Sequence, residues 1–244
     1  MIVQSQLLSQ FPELRCGVST RQGGVSPEPY GMNLSFKVGD AEANVKKNRE
    51  SFLGQLGIEL DSLAMPQQVH GDTITSVNAP GQYDQCDALI TNKAGVFLVV
   101  TVADCLPVFL FDPMARSIAA VHVGWRGSKL RTLEKAMRAL SNEYGTESEH
   151  LLAYIGPSAG VCCYEVGEEV AQEFPKQFLE RMNNAKPRLD LKGFNKNLLL
   201  ENSVKESSIE VSGYCTICKP KLFHSYRRDG KSSGRMMGVI GMMK

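Results

Sequence analysis

The sequence predicts a mixed α/β (α+β) domain, and three observations support this. Apolar runs of strand length alternate with segments that carry apolar residues at helical spacing. No Pro/Gly/Ser-rich linker and no internal repeat divides the 244 residues. A chain of this length can bury a substantial core. We therefore expect one domain over residues 1–244.

A β-hairpin in the middle of the chain is the strongest strand signal. Two apolar runs, 106–111 and 117–121, flank the segment 112–115, which begins with Asp and Pro, as β-turns favour. A hairpin symmetric about this turn places Cys105 directly opposite His122. Opposed residues of an antiparallel pair have Cβ atoms about 4.5–5.5 Å apart. We therefore expect the thiol and the imidazole to form one site.

The elements after the hairpin alternate between helix and strand. Residues 128–144 are predicted to form a helix because their apolar residues recur at helical spacing. These residues are Leu130, Leu133, Ala136, Met137 and Leu140. The later predicted elements are a strand at 151–155, helices at 167–174 and 194–204, and a strand at 209–211.

Charge and composition exclude several function classes. The 27 basic and 26 acidic residues leave a net charge of +1, so we expect neither a nucleic acid nor a membrane as partner. No apolar run reaches the roughly 18 residues of a membrane-spanning helix. The first residues lack the basic start and apolar core of a signal peptide. Together with seven cysteines, an odd number, these features predict a cytoplasmic protein.

A third side chain completes a predicted metal site. Among the four histidines, His70 ends a short extended segment and is followed by Gly71 and Asp72, whereas His150 lies in a charged, turn-like stretch. Two histidines and one cysteine are a donor set of catalytic zinc sites, in which the fourth position is left to water or substrate. We therefore expect His70, Cys105 and His122 to bind Zn²⁺, with Cu²⁺ as the alternative.

A second metal site is not expected from the sequence. Cys215 and Cys218 form a Cys-x-x-Cys motif, which is half of a zinc ribbon, but no second such motif exists. Cys162, Cys163 and His224 could complete a site only through tertiary contact. We therefore interpret Cys218 as incidental.

Several sequence blocks resemble one protein family, the YfiH-type proteins. Members are described variously as multicopper polyphenol oxidases with a laccase domain, as peptidoglycan editing factors and as purine nucleoside phosphorylases. The resemblance rests on blocks in the family's order: Ser19–Ser26, Asn33–Ser35, Gln68–Gly71, Ala103–Pro107, Val121–Gly127, Ile155–Ser158, Cys163–Val166 and Ser225–Gly230 with Gly234–Arg235.

This resemblance implies a fold, a metal site and an activity. The fold would be a layered sandwich with mixed β-sheets, similar to that of the cytotoxic necrotizing factor toxins. The family's zinc ligands match His70, Cys105 and His122. The implied activity is phosphorolysis of adenosine, inosine, guanosine and methylthioadenosine, together with adenosine deamination. Four histidines are too few for a multicopper centre.

Further residues are predicted to bind substrate or to take part in catalysis. Asp104, next to Cys105, is the candidate acid/base or supports the metal ligands, although strand alternation would direct the two side chains to opposite faces. Arg126 lies at the start of the predicted helix, where it would either bind phosphate or pair with a carboxylate. The other candidate substrate-binding residues are Arg21, Asn33, Gln68, Arg227 and Arg228.

Two alternatives to the nucleoside enzyme follow from the same residues. A thiol hydrolase would use Cys105 as nucleophile and His122 as base, with an amide or a peptidoglycan precursor as substrate. A non-catalytic binding or editing protein would use the metal for structure alone. The residues do not rank the purine substrates and do not predict an oligomeric state.

Overall fold

A computed structural model describes residues 1–183 and 185–244. The strands are β1 (Ile2–Val3), β2 (Leu14–Ser19), β3 (Leu63–Pro66), β4 (Ile74–Ser76), β5 (Gly81–Tyr83), β6 (Ala88–Thr91), β7 (Phe97–Val102), β8 (Leu106–Asp112), β9 (Ser117–Val123), β10 (Leu152–Ile155), β11 (Leu179–Glu180), β12 (Arg188–Leu189), β13 (Ile209–Val211) and β14 (Met236–Met242). The α-helices are α1 (Glu42–Gly54), α2 (Trp125–Lys129), α3 (Thr132–Tyr144), α4 (Glu168–Ala171), α5 (Leu191–Glu201) and α6 (Tyr226–Asp229).

Two six-stranded mixed sheets form the centre of the molecule. One sheet has the strand order β1-β2-β14-β7-β3-β5, and the other has the order β13-β10-β8-β9-β6-β4. In the first sheet β14 is antiparallel to β2 and β7, whereas β3 is parallel to β7 and β5. The second sheet likewise combines the antiparallel β8–β9 pair with the parallel β10–β13 pair. The prediction of an α+β fold with mixed sheets is confirmed.

The two sheets pack face to face, and helices cover their outer faces. Phe109 and Phe111 of β8 point into the core between the sheets, whereas Val108 and Leu110 point to the opposite face, where α3 and α5 pack. The first sheet is covered on its outer face by α1. All seven residues of β8 are buried, because both faces of this strand are covered.

The predicted hairpin forms, but its register differs from the prediction. Asp112 pairs with Ser117 and Pro107 pairs with His122. The prediction that Cys105 lies directly opposite His122 is therefore wrong. Cys105 lies one residue before β8, so its nearest position on the other strand is residue 124.

The shift arises because the connecting loop has four residues rather than two. Asp112 accepts hydrogen bonds from the backbone N–H groups of Met114 and Ala115, at 2.8 and 3.1 Å. Arg116 then adopts a left-handed conformation, with φ of 48°. A side-chain acceptor at the first position stabilises this wider turn, which the Asp-Pro signal alone did not specify.

The predicted helix at 128–144 is two helices, α2 and α3. Arg131 interrupts them with a left-handed backbone (φ 57°), and Leu130 is exposed rather than buried. Thr132 begins α3 and donates its hydroxyl to the Gly71 carbonyl at 3.1 Å. This tertiary contact holds α3 against the loop that carries His70. Along the described residues, no helix combines the length and the apolar character needed to cross a bilayer.

The other predicted elements lie where expected, with changed ends. The strand predicted at 151–155 is β10, and the one predicted at 209–211 is β13. The helix predicted at 167–174 contains the shorter α4. The helix predicted at 194–204 is α5, which begins earlier because Asp190 caps it by accepting a hydrogen bond from the Gly193 N–H at 2.9 Å.

Two glycines at helix ends provide a matched test of backbone strain. Gly145 ends α3 with φ of 70°, whereas Gly54 ends α1 without a positive φ, and a Cβ added at either position meets nothing within 4 Å. We expect Gly145→Ala to lower the free energy of unfolding by about 1–2 kcal/mol, because alanine is strained in the left-handed region. Gly54→Ala should raise it by about 0.5–1 kcal/mol. Urea unfolding of both variants measures the difference, and equal effects would contradict this account.

Candidate metal centre and surrounding cleft

Three side chains converge at one end of the second sheet. Possible ligand atoms of His70, Cys105 and His122 all lie within 4.8 Å of one another. His70 lies on the loop after β3, Cys105 directly precedes β8, and His122 is on β9. The rings of His70 and His122 meet edge to face with centroids 4.8 Å apart. The structure therefore brings together the three residues that the sequence predicted as metal ligands.

A glycine makes room for the thiol. A Cβ built at Gly124 would lie only 2.9 Å from Cys105 Sγ and 3.6 Å from His70 Cδ2. Cys105 faces this glycine because the hairpin register pairs Leu106 with Val123. The thiol consequently reaches His122 diagonally across the hairpin rather than directly.

Asp87 organises both histidines, and sequence reasoning missed it. One carboxylate oxygen lies 2.8 Å from the ring nitrogen Nδ1 of His122. The same oxygen accepts a hydrogen bond from the backbone N–H of His70 at 3.0 Å. The other oxygen accepts from the N–H groups of Gly71 and Val69, at 2.7 and 3.2 Å. These bonds hold the loop in which His70 adopts a φ of 60°. With Nδ1 bonded to Asp87, His122 directs Nε2 toward the other ligands.

The Cys105 thiol and the His122 imidazole favour opposite charges. Burial by itself would raise the pKa of Cys105, but the charge of His122 and hydrogen bonds from both histidines lower this pKa to about 6. Burial disfavours the charged His122, but the Cys105 thiolate and Asp87 raise its pKa to about 9. A metal-free protein therefore holds a thiolate–imidazolium pair at neutral pH.

The charge of Cys105 can be tested on metal-stripped protein. We expect iodoacetamide to alkylate Cys105 at a rate that falls to half as the pH drops through about 6, because the thiolate is the reactive form. Peptide-resolved mass spectrometry measures this rate separately from those of the other cysteines. His122→Ala should move the midpoint upward. A midpoint at the ordinary thiol pKa in the unaltered protein would contradict the ion pair.

The three residues fit a bound metal ion. A thiolate and two imidazoles are borderline-soft donors that suit zinc, and three protein ligands leave one position for water or substrate. The bond from His122 Nδ1 to Asp87 is the usual orienting contact of a metal-ligating histidine. The space at Gly124 admits the sulfur next to both rings.

A cleft of about 730 Å³ opens over these residues. Its lining is cationic and aromatic, which suits an anionic or a flat ligand. The cations are Lys37, Arg49, Arg126, Arg227 and Arg235, and the aromatic residues are Phe36, Trp125, Tyr164 and Tyr226. The sequence predicted only two of these cations, Arg126 and Arg227, as substrate-binding residues. The others come from distant segments of the chain.

The predicted substrate-binding residues separate into two groups. Gln68, Arg126 and Arg227 line the cleft. Gln68 exchanges hydrogen bonds with the backbone of Thr101, which fixes its side chain. The Arg126 guanidinium lies 4.4 Å from the Trp125 ring centroid. It forms no hydrogen bond or ion pair with the part of the chain that the structure describes.

The remaining three residues lie outside the cleft lining and make internal contacts. Arg21 pairs with Glu28 at 2.7 Å. The buried Asn33 accepts from the N–H groups of Ser35 and Arg235. Arg228 donates to backbone carbonyls, among them those of residues 216 and 217. These contacts give all three residues a structural function, and their assignment to substrate binding stays a prediction.

Asp104 is buried, and its carboxylate is occupied by hydrogen bonds. It accepts from the hydroxyls of Thr216 and Ser225 at 2.6 and 3.0 Å, and from the Arg227 N–H at 2.7 Å. The φ of Asp104 is 91°, so the chain bends before Cys105 and the two side chains point to different sides. Asp104 thus ties the segment 216–227 to the candidate metal centre.

Comparison with known proteins gives the same family as the motifs. Residues 15–243 match the family described as multi-copper polyphenol oxidoreductase laccase. The chain is 39% identical to a purine nucleoside phosphorylase of Deinococcus radiodurans, covering 92% of this chain and 87% of that protein. It is 31% identical to the adenosine deaminase RL5 from an unknown prokaryotic organism, with 84% of each chain covered.

Solved structures share the fold over nearly the whole chain. The crystal structure of YlmD from Geobacillus stearothermophilus has a TM-score of 0.92 at 29% identity, covering 98% of this chain and 94% of that one. The Bacillus licheniformis hypothetical protein YfiH has a TM-score of 0.90 at 30% identity, covering 95% and 93%. The chain therefore belongs to this laccase-like family of YfiH- and YlmD-type proteins.

Proposed function

We propose that this protein is a metal-dependent purine nucleoside phosphorylase, with Zn²⁺ held by His70, Cys105 and His122. The observation that carries the proposal is the cationic, aromatic cleft above these three residues. Among the described residues that line it, the one carboxylate, Asp104, is occupied by hydrogen bonds within the protein. The cleft therefore presents excess positive charge to an anionic substrate such as phosphate.

The reaction requires phosphate and a nucleoside to bind side by side. An oxygen of hydrogen phosphate bonds to C1′ of the ribose while the bond from C1′ to the purine nitrogen breaks. The proton of hydrogen phosphate ends on the released base, and the other product is ribose 1-phosphate. Positioning the two reactants supplies a large part of such a rate enhancement.

Arg126 is the proposed phosphate ligand. It lies exposed at the cleft and beside Trp125, so its guanidinium is available for a bidentate contact with phosphate oxygens. The aromatic side chains of the cleft supply flat surfaces on which a purine can stack. A metal ion held by the three ligands would supply Lewis acidity beside the reacting groups.

We also propose adenosine deamination in the same cleft as a second activity. The similarity to the adenosine deaminase RL5 supports it. In that reaction water replaces the 6-amino group of the purine, and ammonia leaves.

We further propose adenosine, inosine, guanosine and methylthioadenosine as substrates. One domain over residues 1–244 and a cytoplasmic location also belong to this proposal.

Omission of phosphate tests the main reaction. The zinc-loaded protein is incubated with each of the four nucleosides, with and without phosphate, and the products are separated by chromatography. We expect free base and ribose 1-phosphate only when phosphate is present, because phosphate is the nucleophile. Deamination of adenosine should proceed in both conditions, since it consumes water instead.

A pair of arginine variants makes the test specific to the site. Arg126→Gln should raise the KM for phosphate about tenfold or more, which corresponds to the roughly 1.5–3 kcal/mol of a charge-assisted hydrogen bond. Arg138→Gln, at an exposed arginine of α3 outside the cleft lining, should leave this KM unchanged. Base release that yields free ribose without phosphate would make the protein a hydrolase. No turnover of any nucleoside by the zinc-loaded protein would favour the thiol hydrolase or the binding protein.

A further inference from the structure

Four cysteines distant in sequence form a second cluster outside the metal centre described above. Cys162, Cys163, Cys215 and Cys218 place their sulfur atoms within 4.8 Å of one another. All are free thiols. The Cys-x-x-Cys motif at 215–218 therefore has its missing half in the adjacent pair 162–163, which sequence spacing alone did not reveal.

The separation of the Cys162 and Cys218 sulfurs matches that of two ligands on one metal ion. Cys162 Sγ and Cys218 Sγ are 3.8 Å apart. Two thiolates at about 2.3 Å from a tetrahedral zinc ion are about 3.8 Å from each other. A disulfide instead requires a separation of about 2.05 Å. Since no two of the four sulfurs are more than 4.8 Å apart, all four lie close enough together to share one ion.

The parallel pairing of β10 and β13 brings the two cysteine pairs together. Both strands end at the same edge, and their continuations stay paired, because Ser158 forms an isolated parallel bridge with Cys215. The Thr216 N–H donates to the Ser158 carbonyl at 3.0 Å. Cys215 is itself a member of this bridge, and Cys162 follows four residues after Ser158, so the backbone brings the two pairs together before any ion binds.

A backbone N–H and a nearby lysine favour the thiolate form of Cys215. The Gly160 N–H donates to Cys215 Sγ at 3.3 Å, and a Cβ on Gly160 would lie 3.4 Å from Cys162 Sγ. Lys192 donates to the carbonyls of Ser212 and Tyr214, both at 2.7 Å, which places a positive charge beside the segment leading into Cys215. An N–H donor and a nearby cation stabilise negative sulfur.

We propose that Cys162, Cys163, Cys215 and Cys218 bind one zinc ion as a closed structural site. Each thiol loses its proton when the ion binds, and four protein ligands leave no position for substrate. The ion would tie the segment carrying Tyr164, which lines the cleft, to the segment carrying Thr216, which donates to Asp104. The site would therefore stabilise one wall of the cleft.

Metal stoichiometry of the full-length protein tests this proposal. Protein purified under reducing conditions and measured by plasma mass spectrometry should contain two zinc ions per chain. Cys162→Ser/Cys218→Ser and, separately, Cys105→Ser should each contain one. Cys16→Ala, a buried cysteine in neither cluster, is the matched control and should contain two. Because each of these two variants removes the ion of one site only, the zinc content of the pair shows separately whether the four-cysteine site and the His70–Cys105–His122 site bind zinc.

Cobalt titration keeps the proposal testable if the double variant does not fold. Thiolate-to-cobalt charge-transfer absorption grows with the number of sulfur ligands. Cys105→Ser protein titrated with Co²⁺ should retain the strong band of a four-thiolate site, and Zn²⁺ should abolish it. Absence of this band in the reduced protein would overturn the proposal. A disulfide among these cysteines in protein purified under reducing conditions, detected as a loss of two mass units, would also overturn it.

Discussion

Replacing Asp87 with asparagine is expected to weaken zinc binding at the proposed His70–Cys105–His122 site by about 10- to 100-fold, although none of the three proposed ligands is removed. Each carboxylate oxygen accepts two hydrogen bonds, from His122 and His70 on one side and from Gly71 and Val69 on the other. An asparagine amide has one oxygen, so its NH₂ group must face two donors. The loop of His70 or the ring of His122 then loses its support.

The measurement is a competition between the protein and a chelator of known affinity. Asp84→Asn is the matched control, because Asp84 lies exposed three residues earlier on the same segment. That variant should bind zinc as the unaltered protein does. Unchanged zinc affinity in Asp87→Asn would contradict the assigned function of Asp87, and equal losses in both variants would indicate a general effect of charge.

The local patterns of the sequence predicted most of the elements that carry this site. Two apolar runs on either side of an Asp-Pro turn predicted the β8–β9 hairpin, and both strands form. The register was wrong because Asp112 stabilises a longer loop through its side chain. The three predicted metal ligands nevertheless converge, since the glycine at position 124 lets Cys105 approach His122 across the hairpin. A two-residue shift changed the geometry of the site without separating its members.

The parts that sequence reasoning missed depend on contacts between distant segments. Asp87 precedes a buried strand and carries no motif, so nothing local shows that it accepts bonds from the loop of His70. The four-cysteine cluster joins residues 162–163 to residues 215–218 through the pairing of β10 with β13. Parallel strands far apart in the chain leave no short-range signal, because their pairing depends on the whole sheet.

Replacing Asp104 is expected to have a large effect on the stability of the protein rather than on its metal binding. Asp104→Ala should lower the free energy of unfolding by about 2–5 kcal/mol, because it leaves the hydroxyls of Thr216 and Ser225 and the Arg227 N–H without their acceptor in a buried place. Urea unfolding of the zinc-loaded protein measures this loss. Asp61→Ala, at an exposed aspartate, is the control and should change stability by less than about 0.5 kcal/mol.

The pH profile of kcat separates a positioning residue from an acid/base at Asp104. Asp104→Asn retains one oxygen acceptor and removes the ability to exchange a proton. If Asp104 positions Arg227 and Cys105, Asp104→Asn lowers kcat, and both limbs of its pH profile stay in place. Loss of one limb in a variant that is still folded would assign proton transfer to Asp104. Because all three donors occupy its carboxylate oxygens, we expect the first outcome.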